Sequence, residues 1–178
     1  LFNKDYLVIK AGLDKSLFSY EKKTDIKKEL GIEGKKMILD VNRLDPRKRI
    51  DTAIRAFKIF LKSHPESVFV IGGRGGEKEN LENLIVELGL ENKVKMVGFV
   101  PEEKLFDFCK SADIFINPCW VDFDLSILEP LALGTKTVCS VEVELDESLQ
   151  KLKGKLLFPG YPTPDGLSKA LAEAASAK

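Results

Sequence analysis

The feature that most restricts the fold of this chain is an alternation. Apolar runs of strand length at residues 6–9, 36–41, 67–71, 94–97, 113–117, 137–141 and 155–158 are separated by segments with helical spacing. Ala53, Ile54, Phe57, Phe60 and Leu61 fall on one helical face that stops at His64 and Pro65, and Leu81, Leu84, Ile85 and Leu88 form another, closed by Gly89. Residues 102–111, 126–133, 144–151 and a segment after Pro164 read as further helices. Short apolar strands alternating with amphipathic helices are the signature of successive βαβ units, whose crossovers build a parallel sheet covered on both faces. The expectation is an α/β, doubly wound, Rossmann-like single domain over residues 1–178, with the charged stretch 21–28 as the only plausible linker.

Composition narrows the function. With 28 Lys+Arg against 28 Asp+Glu, the chain has no global attraction for nucleic acid or an anionic membrane. No apolar run approaches the roughly 20 residues that cross a bilayer, and no secretory h-region opens the sequence. Cys109, Cys119 and Cys139 are widely spaced, offer no C-x-x-C knuckle, and suit a reducing, cytoplasmic setting. The chain begins at Leu1 with strand pattern close behind, so it reads as a piece of a longer protein.

Ligands of doubly wound sheets sit beyond the carboxyl ends of the strands, which directs attention to the loops at 42–48, 72–76, 98–101 and 117–125. Arg43 and Lys48 share the first of these, beside Arg47 and Arg49. A fixed guanidinium and an ammonium suit a diphosphate; a solvated basic loop is the alternative. Gly72, Gly73, Gly75 and Gly76 would let a ligand lie close to the backbone, or simply form a strand-to-helix turn. Lys78 stands where G-x-G-x-x-G would need its last glycine, so a dinucleotide fingerprint is unsupported. The stretch from Trp120 to Pro130 leads from a strand into a helix, whose first amides favour a phosphate. Glu129 there could accept from ribose hydroxyls or merely complement the helix dipole. Asp122 and Asp124 could meet sugar hydroxyls or a cation, but two carboxylates do not make a metal site. His64 reads as a capping or surface residue, and the thiols have no nearby histidine to activate them.

The order of these pieces resembles the donor-binding, C-terminal half of the group 1 retaining glycosyltransferases of GT-B architecture. The likeness is carried by Val41 to Lys48, Val70 to Gly73, Val97 to Pro101, Ala112 to Pro118 and Phe123 to Glu129. Even Val8 to Asp14 resembles the family's interdomain segment, with Ala11 in place of an Asn, so residues 1–30 would be an interdomain strand and linker. The resemblance implies that Arg43 and Lys48, spaced R-x4-K, hold the donor diphosphate and stabilise the leaving group. It implies a nucleotide site drawn from Asn42, Gly73, Arg74, Val100, Pro101, Asp122, Phe123, Asp124, Leu125, Ser126 and Glu129. Val100 and Pro101 would face the nucleobase, and Glu129 the ribose as the second Glu of an E-x7-E motif.

Two departures stand out. Val121 occupies the place of the first Glu of that motif, and Asp124 that of a usual Gly. A valine accepts no hydrogen bond from a sugar hydroxyl and meets no developing charge, so donor positioning or turnover would change. The acidic variant looks most like prokaryotic mannosyltransferases of surface polysaccharide assembly, implying GDP-mannose as donor, no metal and no other cofactor. The acceptor, a glycan or lipid-linked glycan, would belong to an N-terminal domain outside this chain. The whole enzyme would be cytoplasmic or peripheral at the inner face of the membrane, and this half alone inactive. A nucleotide-binding module of the same fold without turnover is the alternative.

Overall fold

A computed structural model describes residues 12–119, 125–143 and 147–177. The strand expected at 6–9 lies outside them. Six strands, β1 (Lys36–Val41), β2 (Ser67–Gly72), β3 (Val94–Gly98), β4 (Ile114–Asn117), β5 (Lys136–Ser140) and β6 (Leu157–Gly160), form one sheet in the order β3-β2-β1-β4-β5-β6. Every pairing is parallel. The helices are α1 (Ile26–Glu29), α2 (Ile50–Phe60), α3 (Lys78–Glu87), α4 (Glu102–Ser111), α5 (Leu125–Ala132), α6 (Glu147–Gln150) and α7 (Pro164–Ser176).

The strands read as continuous apolar runs because both faces of the sheet are covered. Ile38, Phe69, Ile71, Ile114, Ile116, Val138 and Phe158 pack against Phe57 and Phe60 of α2 and Leu167 and Leu171 of α7. Met37, Leu39, Val68, Val70 and Phe115 point the other way, onto Phe108 and Cys109 of α4 and onto Leu17, Ile26 and Ile32. Residues of successive parity on β1 thus serve different layers, as the two-residue repeat of a strand requires.

Two expectations shift. Residues 21–28, read as a linker, are docked on the sheet: Ile26 is fully buried, and Asp25 caps α1 by accepting from the amides of Lys27 and Lys28. The last strand runs 157–160 rather than 155–158, carrying Pro159 inside it. The carbonyls of Leu156 and Gly160 face β5, accepting from Thr137 and Val141, so the backbone of the intervening Pro159 points off the sheet edge. Proline is tolerated there because no ladder bond is lost.

The chain places β2 and β3 on one side of β1 and β4, β5 and β6 on the other, so the strand order reverses between β1 and β4. At such a reversal the following loops diverge and leave a crevice at the carboxyl rim. Lysines serve the opposite rim: Lys136 Nζ donates to the carbonyls of Ala174 and Ala177, and Lys110 Nζ to that of Leu133, capping the ends of α7 and α5. Among the described residues no helix is long and apolar enough to cross a membrane.

Candidate functional site

The loop after β1 lies on one side of the reversal. Asn42 donates its amide to the Gly72 carbonyl at 3.1 Å and its side chain to Asp40 Oδ1 at 2.7 Å. Leu44 is buried and anchors the loop, while Arg43 before it is exposed. Asp45 caps a 3-10 turn over Pro46–Lys48 and grips Arg47, accepting from Nε at 3.1 Å and from the terminal nitrogen at 3.2 Å. The Arg47 side chain and then its amide hold the Asp45 carboxyl down at about 2. Lys48 is half-buried and projects to the loop after β4, its Nζ 3.7 Å from Cys119 Sγ.

The glycine-rich loop after β2 packs closely on its neighbour. On the side where a Cβ would stand, Gly73 and Gly75 lie against the β1 loop, and both also line a cavity. A Cβ on Gly73, whose φ is 137°, would sit 1.8 Å from the Asn42 carbonyl oxygen, and one on Gly75 would sit 2.1 Å from that of Leu44. Leu44 N donates to Arg74 O at 2.9 Å, Glu77 N to Leu44 O at 3.2 Å, and Gly73 N to Gly98 O at 2.6 Å, so the loops after β1, β2 and β3 are joined backbone to backbone. Gly76 alone of this group has open space above it.

A cavity of about 520 Å³ opens beside these loops, lined by Leu44, Gly73, Arg74, Lys78, Val97 and Gly98 among others. The guanidinium of Arg74, one of the lining residues, lies 5.1 Å from the ring centroid of Phe99, which is 58% exposed, and the two form a cation–π pair. Val100 is turned into the core, and Pro101 opens α4 with its carbonyl accepting from the amides of Lys104 and Leu105. Pro101 has no N–H to offer a base. Neither residue lines that cavity.

Across the reversal, buried Asn117 donates from Nδ2 to Ser126 Oγ at 2.6 Å and accepts from the Cys119 amide at 3.3 Å. It thereby fixes where the chain leaves β4 and where α5 begins. Glu129 lies half-buried on α5. Burial, and secondarily the Glu129 charge, pushes the Cys109 thiol up to about 12. Val121, Asp122, Phe123 and Asp124 lie outside the described residues, as does the side chain of Leu125.

Two residues that the sequence did not single out close the arrangement. Arg49 donates to Pro118 O at 3.4 Å and forms an ion pair with Glu142, beyond the end of β5. That contact is the chief reason the Glu142 carboxyl lies below its ordinary range. Neither carried a motif; only the parallel order of β1, β4 and β5 makes them neighbours. His64, by contrast, stacks on Phe60 at 4.2 Å just past α2, and burial lowers its pKa.

At this rim the basic β1 loop reaches the connection after β4 through Lys48 and Arg49, and comparison with known proteins agrees with the fold. Residues 22–178 match the family described as glycosyl transferases group 1. An uncharacterized glycosyltransferase of Methanocaldococcus jannaschii is 35% identical over 147 residues, which are 81% of this chain and 37% of that protein. The mannosylfructose-phosphate synthase of Agrobacterium fabrum is 30% identical over 125 residues, 65% of this chain and 27% of that protein. The chain thus spans about a third of the length of these relatives. Among solved structures, the C-terminal domain of a group 1 glycosyl transferase from Francisella tularensis superimposes with a TM-score of 0.76 at 19% identity, covering 93% of this chain and 88% of that one. The chain belongs to the group 1 glycosyltransferases and has the fold of their GT-B C-terminal domain.

Proposed function

We propose that this chain is the donor-binding half of a nucleotide-sugar-dependent glycosyltransferase that retains anomeric configuration, with GDP-mannose as donor. The observation that carries the reading is the disposition of charge on the β1 loop. Arg43, Arg47, Lys48 and Arg49 stand there against Asp45; Arg47 takes up Asp45, and Arg49 takes up Glu142. Arg43 is exposed above the rim, and Lys48 reaches toward the β4 loop. Negative charge builds on the departing nucleoside diphosphate in the transition state. Arg43, Lys48 and the first amides of α5 would stabilise it electrostatically, the guanidinium by two parallel hydrogen bonds.

In this reading Glu129 receives the ribose, and the Arg74–Phe99 pair and the main chain at Val100 flank the base. Asp122 and Asp124 contact the sugar, in the place that Val121 leaves without an acceptor. Mannose is favoured by the acidic pattern of that segment and by the kind of product named for the Agrobacterium relative. The acceptor, a glycan or lipid-linked glycan in polysaccharide assembly, would be held by another part of the protein, and this half alone would not transfer sugar. The enzyme would work in the cytoplasm, where it could associate peripherally with the inner membrane surface.

Calorimetric titration with GDP, UDP and GDP-mannose tests the proposal. Hydrogen bonds to charged groups contribute about 1.5–3 kcal/mol each, so Arg43→Ala and Lys48→Ala should each weaken GDP binding by at least about tenfold with the fold intact. Unchanged affinity in both would sink the diphosphate assignment. The valine at 121 favours a second reading, a binding module without turnover. Val121→Glu in the full-length protein separates the two: a silent module would gain transferase activity, whereas an enzyme adapted to valine would not need the change.

A further inference from the structure

Arg49 is the one described non-glycine residue with a positive φ, at 52°. An L-residue enters that region at a cost, and one held there is commonly held for a reason. Part of the reason is local: Arg49 closes the 3-10 turn over Pro46–Lys48 as its left-handed C-cap, its amide donating to Pro46 O, while at the N-cap of α2 it makes no side-chain cap bond. What the conformation accompanies is a reach across the strand-order reversal. The guanidinium donates to Pro118 O, at the end of β4, and pairs with Glu142, beyond β5. Glu142 is itself oriented, its carboxylate accepting from Ser140 Oγ at 3.1 Å and its amide donating to the same hydroxyl at 3.1 Å. Three connections, after β1, β4 and β5, therefore meet at one side chain, directly after Lys48 in the sequence.

We infer that Arg49 is a positioning residue of the donor site, a latch that holds the β4 and β5 connections against the β1 loop and so sets the spacing between the β4 loop and the loop that carries Lys48. The inference deepens the donor-binding reading and rests on it. Glu142 offsets the Arg49 charge, so the contribution to a bound diphosphate is geometric. A crevice already held at its working width spends less binding energy on ordering its loops. Both bonds leave one guanidinium nitrogen, whose two N–H directions are fixed by the planar group, whereas an ammonium on a flexible stem fixes neither direction.

The test uses Arg49→Gly, Arg49→Lys, Glu142→Ala and the double variant Arg49→Gly/Glu142→Ala. Glycine adopts a positive φ without strain. Arg49→Gly should therefore melt no lower than the parent chain while its affinity for GDP falls about tenfold, since the crevice must now be ordered on binding. A residue that only supported the fold would lower both together. The double variant should bind no more weakly than either single one, because both remove the same tie. Arg49→Lys should not restore the parent affinity. Unchanged GDP affinity in Arg49→Gly, or losses that add in the double variant, would overturn the role in binding.

A second arm needs no nucleotide. Cys119, 1% exposed, follows the Pro118 that the latch holds. Alkylation by iodoacetamide, read by peptide mass spectrometry, should accelerate at Cys119 in Arg49→Gly by about tenfold while Cys109 stays protected, as local opening predicts. An unchanged rate at Cys119 would overturn the latch itself. A parent chain that binds no nucleoside diphosphate would overturn the donor reading and the binding role with it, while the thiol arm decides the latch independently.

Discussion

The Tyr20 hydroxyl donates to Asp107 Oδ1 at 2.9 Å, although the two residues are 87 positions apart. The same oxygen accepts from the Lys23 amide at 2.8 Å, so one buried carboxylate on α4 fastens the segment that precedes α1. Asp113, six residues on and past the end of α4, makes a similar tie, its Oδ2 accepting from Lys27 Nζ at 2.6 Å and from the Met37 amide at 2.7 Å. These contacts turn a charged stretch into a packed part of the domain.

Asp107→Ala should therefore destabilise the chain by about 1–3 kcal/mol in urea unfolding, because it leaves partly buried donors without their acceptor. Burial raises the Asp107 pKa, but the hydrogen bonds from Lys23, Tyr20 and Thr24 together outweigh it and leave the value below normal. A depressed folded-state pKa means the stabilisation is present above the unfolded value and fades as pH falls through the folded one. Stability of the parent chain should decline below about pH 4, and the part of that decline due to this group should be missing in Asp107→Asn.

Gly73→Ala should cost more than about 2 kcal/mol, since its new methyl would meet the Asn42 carbonyl and its backbone conformation disfavours any side chain. Gly76→Ala, three residues on with open space above it, should stay within about 0.5 kcal/mol of the parent. Chemical denaturation of the two variants side by side checks the difference.

Burial pushes the Cys139 thiol up to about 12, as it does Cys109. Neither should react with iodoacetamide at pH 8 in the folded chain, and both should react in urea. Early modification of either one would show that the packing around α4 or β5 is looser than described.

Phe57→Ala should remove about 3–5 kcal/mol, because Phe57 is fully buried and touches Phe60 and Phe69 with ring centroids 6.4 and 5.4 Å away. Phe18→Ala, at a position 68% exposed, should change stability by no more than about 0.5 kcal/mol. Thermal melts of the pair measure how far the layer between α2 and the sheet dominates the core.

The strands and most helices were legible because covering both sheet faces demands apolar runs that differ visibly from the 3.6-residue repeat of α2 and α3. Residues 21–28 were not, because what docks them is Asp107 and Asp113, two acids that nothing in the sequence distinguishes from surface ones. The last strand lies two residues later than expected and runs through Pro159, whose harmlessness depends on an edge position that only the sheet order reveals. At the rim, Arg43 and Lys48 could be nominated from spacing. The Arg49–Glu142 pair could not, because it joins loops 93 positions apart. The glycines after β2 could be noticed, but not that the chain's own Asn42 and Leu44 carbonyls occupy the room where side chains would stand, because that depends on how the loops after β1 and β2 pack together.

A sheet whose strands all run the same way segregates its labour, with every strand leaving toward one edge and arriving from the other. Among the described residues the arriving edge carries short connectors, one of which holds Gly34, whose φ of 74° puts it in a turn with nothing crowding it. A fluorescent reporter or affinity handle spliced at that turn would ride on the domain without disturbing the opposite edge, making it a natural attachment point for testing the proposed nucleotide binding in real time.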